Sequence, residues 1–295
     1  MTRNIKRLIF LAALLFVLVN CAQGEGTNDD KKLLIGGIPD QNVSLLEERF
    51  GAVADHLSNE LGIDVEYVPV TDYSSLVTAF RNGDIMLGWF GGLTGVQAKS
   101  FTPGAISVAQ RPLDKEFTSV FIVNTGSTAS SLGELRDSSF TFGSTNSTSG
   151  HLMPRSFLLE AGIDPDIDFR GVPNFSGSHD LTWKLVESGS FDAGALNSAV
   201  WKRAVREGAV DVSKVHVIHE TPAYVDYQWL AHPDIDVQWR NGLLDDLAAT
   251  LIDISGKDEV ERKILDSFET DSFVPVDPSD YSELEGIARS LNMLQ

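Results

Sequence analysis

From Leu33 onwards, short apolar runs alternate with stretches whose apolar residues recur every three or four positions. "LLIGGI" (33–38) reads as a strand, and 44–61 places Leu46, Phe50, Val53, Leu57 and Leu61 on one face of a helix. "DVEYVPV" (64–70) alternates as a half-buried strand does. "SSLVTAFRNG" (74–83) reads as a helix opened by serine and closed by glycine, and "DIMLGWF" (84–90) as a buried strand. The rhythm continues with strands at 139–143, 168–172 and 191–196, followed by helices at 150–161, 178–188 and 198–207. The tail from Val237 is mostly helical. Strands alternating with helices predict an α/β fold with largely parallel sheets flanked by helices.

A length of 295 residues suits two lobes better than one. Two β-rich stretches, 117–127 and 215–229, are candidate crossings between them. The expected division is 33–122 with 226–295 as the first lobe and 123–225 as the second. Ligands in such sheets bind beyond the carboxyl ends of the strands, which in a two-lobed chain face the cleft.

The first thirty residues follow a different pattern. Arg3, Lys6 and Arg7 precede the apolar run Leu8 to Val19, which is shorter than the ~20 residues a membrane span needs. It suits the core of a signal peptide, taken as residues 1–20. Cys21, the only cysteine, stands in "LVNC". That placement resembles a bacterial lipoprotein cleavage site, although Asn20 occupies a position usually held by a smaller residue. The expected location is extracytoplasmic, with a lipid anchor at Cys21 and a small, polar tether over 21–32. The folded part then contains no disulfide. Losing three positive charges with the leader takes the formal charge from −19 to −22, which makes nucleic acid a poor partner. A small anion is not excluded, because screening limits exposed charges to about 8 Å at physiological salt.

Candidate chemistry concentrates in "GSTNSTSGHLMP" (143–154). Pro154 is tolerable only in the first turn of a helix, so the helix begins near Ser147 to Gly150. Free backbone N–H groups and the helix dipole there make an anion site, to which Ser147, Thr148 and Ser149 add hydroxyls. Plain helix capping favours the same residues. Two catalytic readings fail on spacing. A nucleophile elbow needs a glycine two residues before the serine, and Thr145 stands there. A phosphate-binding P-loop needs a closer glycine pair followed by lysine, whereas Gly143 and Gly150 are seven apart and His151 follows.

Elsewhere, His179 in "SGSHD" (176–180) is either an oxyanion donor at a helix start or a structural histidine. Tyr73, Trp89 and Phe90 stand at strand-to-loop junctions, where aromatics line a pocket or fill a core; Trp89 reads as core. Asp226 in "YVDYQW" (224–229) either accepts a proton from a ligand hydroxyl or caps a turn. Arg155 lies near the serine-rich loop or points to solvent. The six histidines are scattered, so no metal site is expected.

Taken in order, "IGGIPDQN", "EERFGAVADHLSNELGIDVEYVPVTDYSSLVTAFRNGDIMLGWFGG", "FTFGSTNSTSG", "SGSHD" and "TPAYVDYQW" resemble the substrate-binding component of phosphate/phosphite/phosphonate-type ABC importers. "LMPRSFLLEAGIDP" and "DAGALNSAVW" are similar to a subgroup labelled selenate binders. The resemblance implies a two-lobed type II periplasmic-binding-protein fold with the ligand between the lobes. It implies that "STSG", Tyr73 and His179 donate to an oxyanion and that Asp226 meets its distal or protonated group. Phe90 falls where relatives offer a tyrosine, and Asn197 where they often carry a polar pocket residue. The implied partners are a small tetrahedral oxyanion and a membrane permease. The chain itself is expected to be a monomer, not an enzyme, with neither cofactor nor metal. Alternatives are a selenate binder of the same fold, a sensor domain for a signalling receptor, or a hydrolase using Ser147 or Ser149. The last lacks a positioned base. Asp226 favours monoprotonated phosphonates or phosphite over selenate and sulfate, because a carboxylate accepts from P–OH.

Overall fold

The computed structural model describes residues 31–294, so the leader, Cys21 and most of the tether lie outside the described residues. The chain begins with β1 (Leu33–Gly37), α1 (Val43–Leu61), β2 (Val65–Tyr67), α2 (Tyr73–Asn82), β3 (Leu87–Phe90), α3 (Gly92–Phe101) and β4 (Ile106–Ala109). It then crosses, through a 3₁₀ turn at Pro112–Lys115, into β5 (Ser119–Asn124), β6 (Phe140–Phe142), α4 (Met153–Glu160), β7 (Asn174–Phe175), α5 (His179–Glu187), β8 (Ala193–Asn197), α6 (Ser198–Arg206) and β9 (Val215–Glu220). Residues 221–227 cross back to β10 (Gln228–Ala231), followed by α7 (Ile235–Gln238), α8 (Leu243–Ile252), α9 (Glu259–Phe268) and α10 (Ser282–Ser290).

Two five-stranded sheets result, ordered β2-β1-β3-β10-β4 and β7-β6-β8-β5-β9. Both are mixed. In each, four strands share a direction and one opposes them: β10 is antiparallel to β3 and β4, and β5 to β8 and β9. The opposed strand is the one the chain enters directly after a crossing. It arrives at the carboxyl ends of the other strands and can only run back along them. Strand β5 lies wholly in the second sheet, paired with β8 from Ser119 to Val123. The expected lobe boundary at 122/123 therefore moves to before Ser119, since the hydrogen-bonded ladder keeps that strand whole.

Local rules account for most elements. Helix α1 buries Leu46, Phe50, Val53 and Leu57, with Leu61 half-buried; Asn42 caps its start by accepting from the Ser44 N–H, and Gly62 ends it at φ 65°. Gly37 lets that helix lie close, because a Cβ there would stand 2.2 Å from the Phe50 ring. Helix α2 is capped by Asp72, which accepts from Ser75 N–H, rather than by a serine. The strand expected over 168–172 is absent. Gly171 turns the chain at φ 82°, and pairing resumes only at Asn174 and Phe175 beside β6. One apolar core fills the first lobe, and separate clusters cover the two faces of the second sheet. A further cluster joins α3, Leu152, Met153, Val225 and α10, so the C-terminal helix packs across the junction of the lobes. Among the described residues, no helix is long and apolar enough to cross a membrane.

Candidate functional site

Four helical segments begin at the junction of the two sheets. Tyr73 is the first residue of α2, Gly92 of α3, Thr148 of the turn that leads into α4, and His179 of α5. Each follows a strand or a crossing, so its free N–H groups and positive dipole end point where the strands terminate.

The serine-rich loop is shaped by Pro154, as its sequence required. Residues Thr148–Leu152 form a wide turn in which Leu152 N–H donates to Ser147 O at 3.0 Å and Met153 N–H to Thr148 O, both five residues back. Pro154 has no N–H with which to continue the ladder. The carbonyls it would have met are taken elsewhere: Ser149 O by the Ser119 hydroxyl at 2.7 Å, and Gly150 O by Gly143 N–H at 2.8 Å. Ser147 Oγ accepts from Gly150 N–H at 2.9 Å, which leaves its own proton free. Gly150 must be a glycine, since a Cβ would stand 2.9 Å from Ser147 Oγ and 3.1 Å from both Gly143 Cα and His179 Cε1.

Around this turn lie side chains that are buried yet incompletely bonded. Tyr73 OH, Ser149 Oγ, His179 Nε2 and Asp226 Oδ2 have no hydrogen-bond partner among the described residues, although each residue is at most 2% exposed. Orphaned polar atoms of this kind are costly in a folded protein. His179 Nδ1 accepts from Asn197 N–H at 3.3 Å, which puts the ring proton on Nε2, the unpaired nitrogen. Burial lowers the pKa of His179, opposed by the nearby Asp40 and Asp180 charges, so the ring is a neutral donor. Burial likewise pushes the Tyr73 phenol well above its ordinary value, so it stays protonated.

Asp226 is the acceptor. Its Oδ1 takes Gly92 N–H at 2.9 Å, while Thr148 Oγ1 accepts from Leu93 N–H at 3.0 Å beside it. Burial pushes the Asp226 carboxyl up to about 7, against the lowering influence of Gly92 N–H and the Thr148 and Ser149 hydroxyls. Its main chain is fixed by the other crossing, where Asp226 N–H donates to Asp114 O at 2.9 Å. Asp114 in turn pairs with Arg111 inside the protein, at 2.6 Å.

The structure thus brings together Tyr73, Ser147, Thr148, Ser149, His179 and Asp226, drawn from both lobes. Two expected positions take other roles. The Phe90 ring packs edge-on against Phe80 at 5.3 Å and covers Gly88, where a Cβ would meet it at 2.3 Å. It belongs to the first lobe's core. Asn197 is buried near the site, but its amide serves the fold: Oδ1 accepts from Ala199 and Val200 N–H to cap α6, and Nδ2 donates to Tyr227 OH at 3.0 Å. Arg155 bonds His151 and pairs with Asp166 at 2.9 Å, away from these groups. Asp40 and Tyr227 were not singled out in the sequence, yet they meet at 2.8 Å beside His179. The one available signal for Asp40 was its place in "PDQN", directly after a strand's carboxyl end. No cluster of metal-ligating side chains occurs among the described residues.

Comparisons with known proteins bear on the family and the fold. Residues 35–281 match the family described as ABC transporter, phosphonate, periplasmic substrate-binding protein. The probable ABC transporter phosphite binding protein PhnD1 of Prochlorococcus marinus (strain MIT 9301) is 40% identical over 99% of both chains. The structure of PhnD1 from that organism in complex with methylphosphonate superposes with a TM-score of 0.86 at 42% identity, over 90% of this chain and 99% of the other. A binding protein component of an ABC phosphonate transporter from Pseudomonas aeruginosa shares the fold at 17% identity, with a TM-score of 0.76 over 87% and 85% of the two chains. Two mixed sheets flanked by helices, the converging helix starts and these likenesses lead to one assignment: the chain belongs to the family of periplasmic substrate-binding proteins of phosphonate ABC transporters.

Proposed function

We propose that the chain binds a small monoprotonated phosphorus oxyanion, phosphite or methylphosphonate, between its two lobes and delivers it to a membrane permease. The observation that carries this reading is the set of buried unpaired atoms around the turn: three donors, from Tyr73, Ser149 and His179, and one acceptor, Asp226 Oδ2, with Asp40 Oδ1 beside His179 as a further unpaired acceptor. A P–OH monoanion has acceptor oxygens for the donors and one proton for the carboxylate. Selenate and sulfate carry no proton at neutral pH and leave Asp226 facing an oxygen. The Ser147 hydroxyl accepts from Gly150 N–H, which leaves its own proton for the ligand, while the Thr148 hydroxyl accepts from Leu93 N–H and turns its proton toward Asp226. Converging helix starts favour negative charge without a lysine or arginine at the ligand. The phosphite and methylphosphonate named for the Prochlorococcus relative support the same ligand class.

In this reading the chain binds and does not catalyse. His179 Nδ1 is occupied by a backbone N–H, so the ring cannot take a proton from a serine through that nitrogen. The protein acts as a monomer outside the cytoplasm, held at the membrane by a lipid on Cys21. Calorimetry with phosphite, methylphosphonate, phosphate, selenate and sulfate tests the proposal. Phosphite and methylphosphonate are expected to bind most tightly; no binding by any of the five overturns it.

A further inference from the structure

Buried polar groups near the site fall into two sets. Tyr73 OH, Ser149 Oγ, His179 Nε2 and Asp226 Oδ2 are unpaired, as groups awaiting a ligand would be. The other set is already joined across the lobes. His179 N–H, at the start of α5, donates to Asp40 O at 3.0 Å. Asp40 Oδ2 accepts from Tyr227 OH at 2.8 Å, and that hydroxyl accepts from Asn197 Nδ2 at 3.0 Å. Asn197 N–H returns to His179 Nδ1. Asp40 follows β1, and the Tyr227 ring is stacked on Trp89 at 5.5 Å in the first lobe's core. His179 and Asn197 open helices of the second lobe. The four residues therefore close a ring that crosses the cleft twice, with every member at most 3% exposed.

We infer that Asp40 and Tyr227 are positioning residues that latch the two lobes together and set how readily the site closes, whichever ligand it takes. This rests on the binding function proposed above. Tyr227 need not touch the ligand, because its hydroxyl both donates and accepts within the ring; Asp40 Oδ2 is satisfied there too, while Asp40 Oδ1 is buried without a partner. Other bonds also span the lobes, such as Arg206 with Glu269 at 2.6 Å and Asn42 N–H with Asp180 at 2.9 Å. These two are exposed and contribute little in salt, whereas Leu93 N–H to Thr148 Oγ1 at 3.0 Å is a buried bond between the lobes outside the ring. The ring is shielded from water, and its bonds are lost together when the lobes part. Apparent affinity equals intrinsic affinity scaled by the fraction of protein in the competent state. A weakened latch lowers that fraction for every ligand equally.

Tyr227→Phe tests this, since the ring can still stack on Trp89 while the hydroxyl is gone. Small-angle X-ray scattering of the ligand-free variant should give a larger radius of gyration than the wild type. Calorimetry should show affinity for phosphite, methylphosphonate and phosphate reduced about tenfold, by the same factor for each. Asp40→Asn retains an acceptor for the Tyr227 hydroxyl and should keep the compact scattering profile. In the ligand-free wild type, the His179 amide should exchange with deuterium slowly. An unchanged radius for Tyr227→Phe, a shift in the ratio between ligands, or fast exchange at His179 overturns the latch. If the wild type binds none of the anions, the functional proposal fails, while scattering and exchange still decide the latch.

Discussion

Asp226 sets stability against function, and replacing it with asparagine separates the two. The carboxyl is 1% exposed and pushed up to about 7 by burial. Raised this far above its ordinary 3.8, it stabilises the fold only while protonated. That contribution is complete below about pH 4 and is lost as pH rises through about 7. The difference between the two values corresponds to a cost of roughly 4 kcal/mol for the ionised, ligand-free protein at pH 8. Asp226→Asn removes the ionisation, so the ligand-free variant should gain up to about 4 kcal/mol over the wild type at pH 8 and nothing at pH 4. Binding should move the other way. With its carbonyl on Gly92 N–H, the asparagine turns an NH₂ group toward the ligand, where the carboxylate Oδ2 now stands. A donor then faces the P–OH donor, and loss of the charge-assisted bond weakens phosphite binding about 10- to 100-fold. Fully deprotonated sulfate and selenate lose nothing and should gain relative to phosphite. Urea unfolding at pH 4 and 8, paired with calorimetry at pH 8, reads both effects. A variant no more stable than wild type at pH 8, or one that still binds phosphite as tightly, refutes the reasoning.

Three other changes follow from the same structure. His179→Ala removes the neutral Nε2–H donor and should weaken phosphite binding about tenfold by calorimetry; because burial lowers the His179 pKa, the wild type should lose stability as pH falls below about 6.5, and the variant should lose less. Asp114→Ala strands Arg111 as an unpaired buried charge and should cost about 3–5 kcal/mol in urea unfolding, since the pair is enclosed. Glu261 accepts from the backbone N–H groups of Ser255, Gly256 and Lys257, and although desolvation opposes them, these donors and Lys257 hold its carboxyl down at about 2. That stabilisation is present above about pH 4.5 and is lost as pH falls towards 2, so Glu261→Gln should be about 1–2 kcal/mol less stable than wild type at pH 7 and equal to it near pH 2.

What the sequence discloses depends on how far away a residue's partners lie. The period of α1 gave its buried face, and Pro154 located the start of the serine-rich turn, because both constraints act within one or two helical turns. The wide form of that turn was not legible. It depends on Ser119, 30 residues upstream, taking the Ser149 carbonyl. Phe90 was misplaced for a related reason. Trp89 and Phe90 are adjacent on β3 and so face opposite sides of the sheet. Both sides turn out to be core, with Trp89 stacked on Tyr227 and Phe90 against Phe80, and nothing local says that neither meets the cleft.

Asn197 shows the limit most clearly, because the sequence marks the position as polar without fixing its role. A polar residue at the carboxyl end of a strand is placed equally well to meet a ligand or to cap the next helix. Here it caps α6, which the two residues after it could have suggested. Its second partner, Tyr227, lies 30 residues on, and Tyr227 in turn bonds Asp40, 187 residues back. Residues proposed to face the ligand leave a local trace: a hydroxyl cluster at a helix start, or a histidine at a first turn. Residues that hold two lobes together leave none, because each of their partners is fixed only when the chain has crossed and returned. Asp40 sits in a plain strand-to-helix loop, and only the closed fold shows that its carbonyl and carboxylate both work across the cleft.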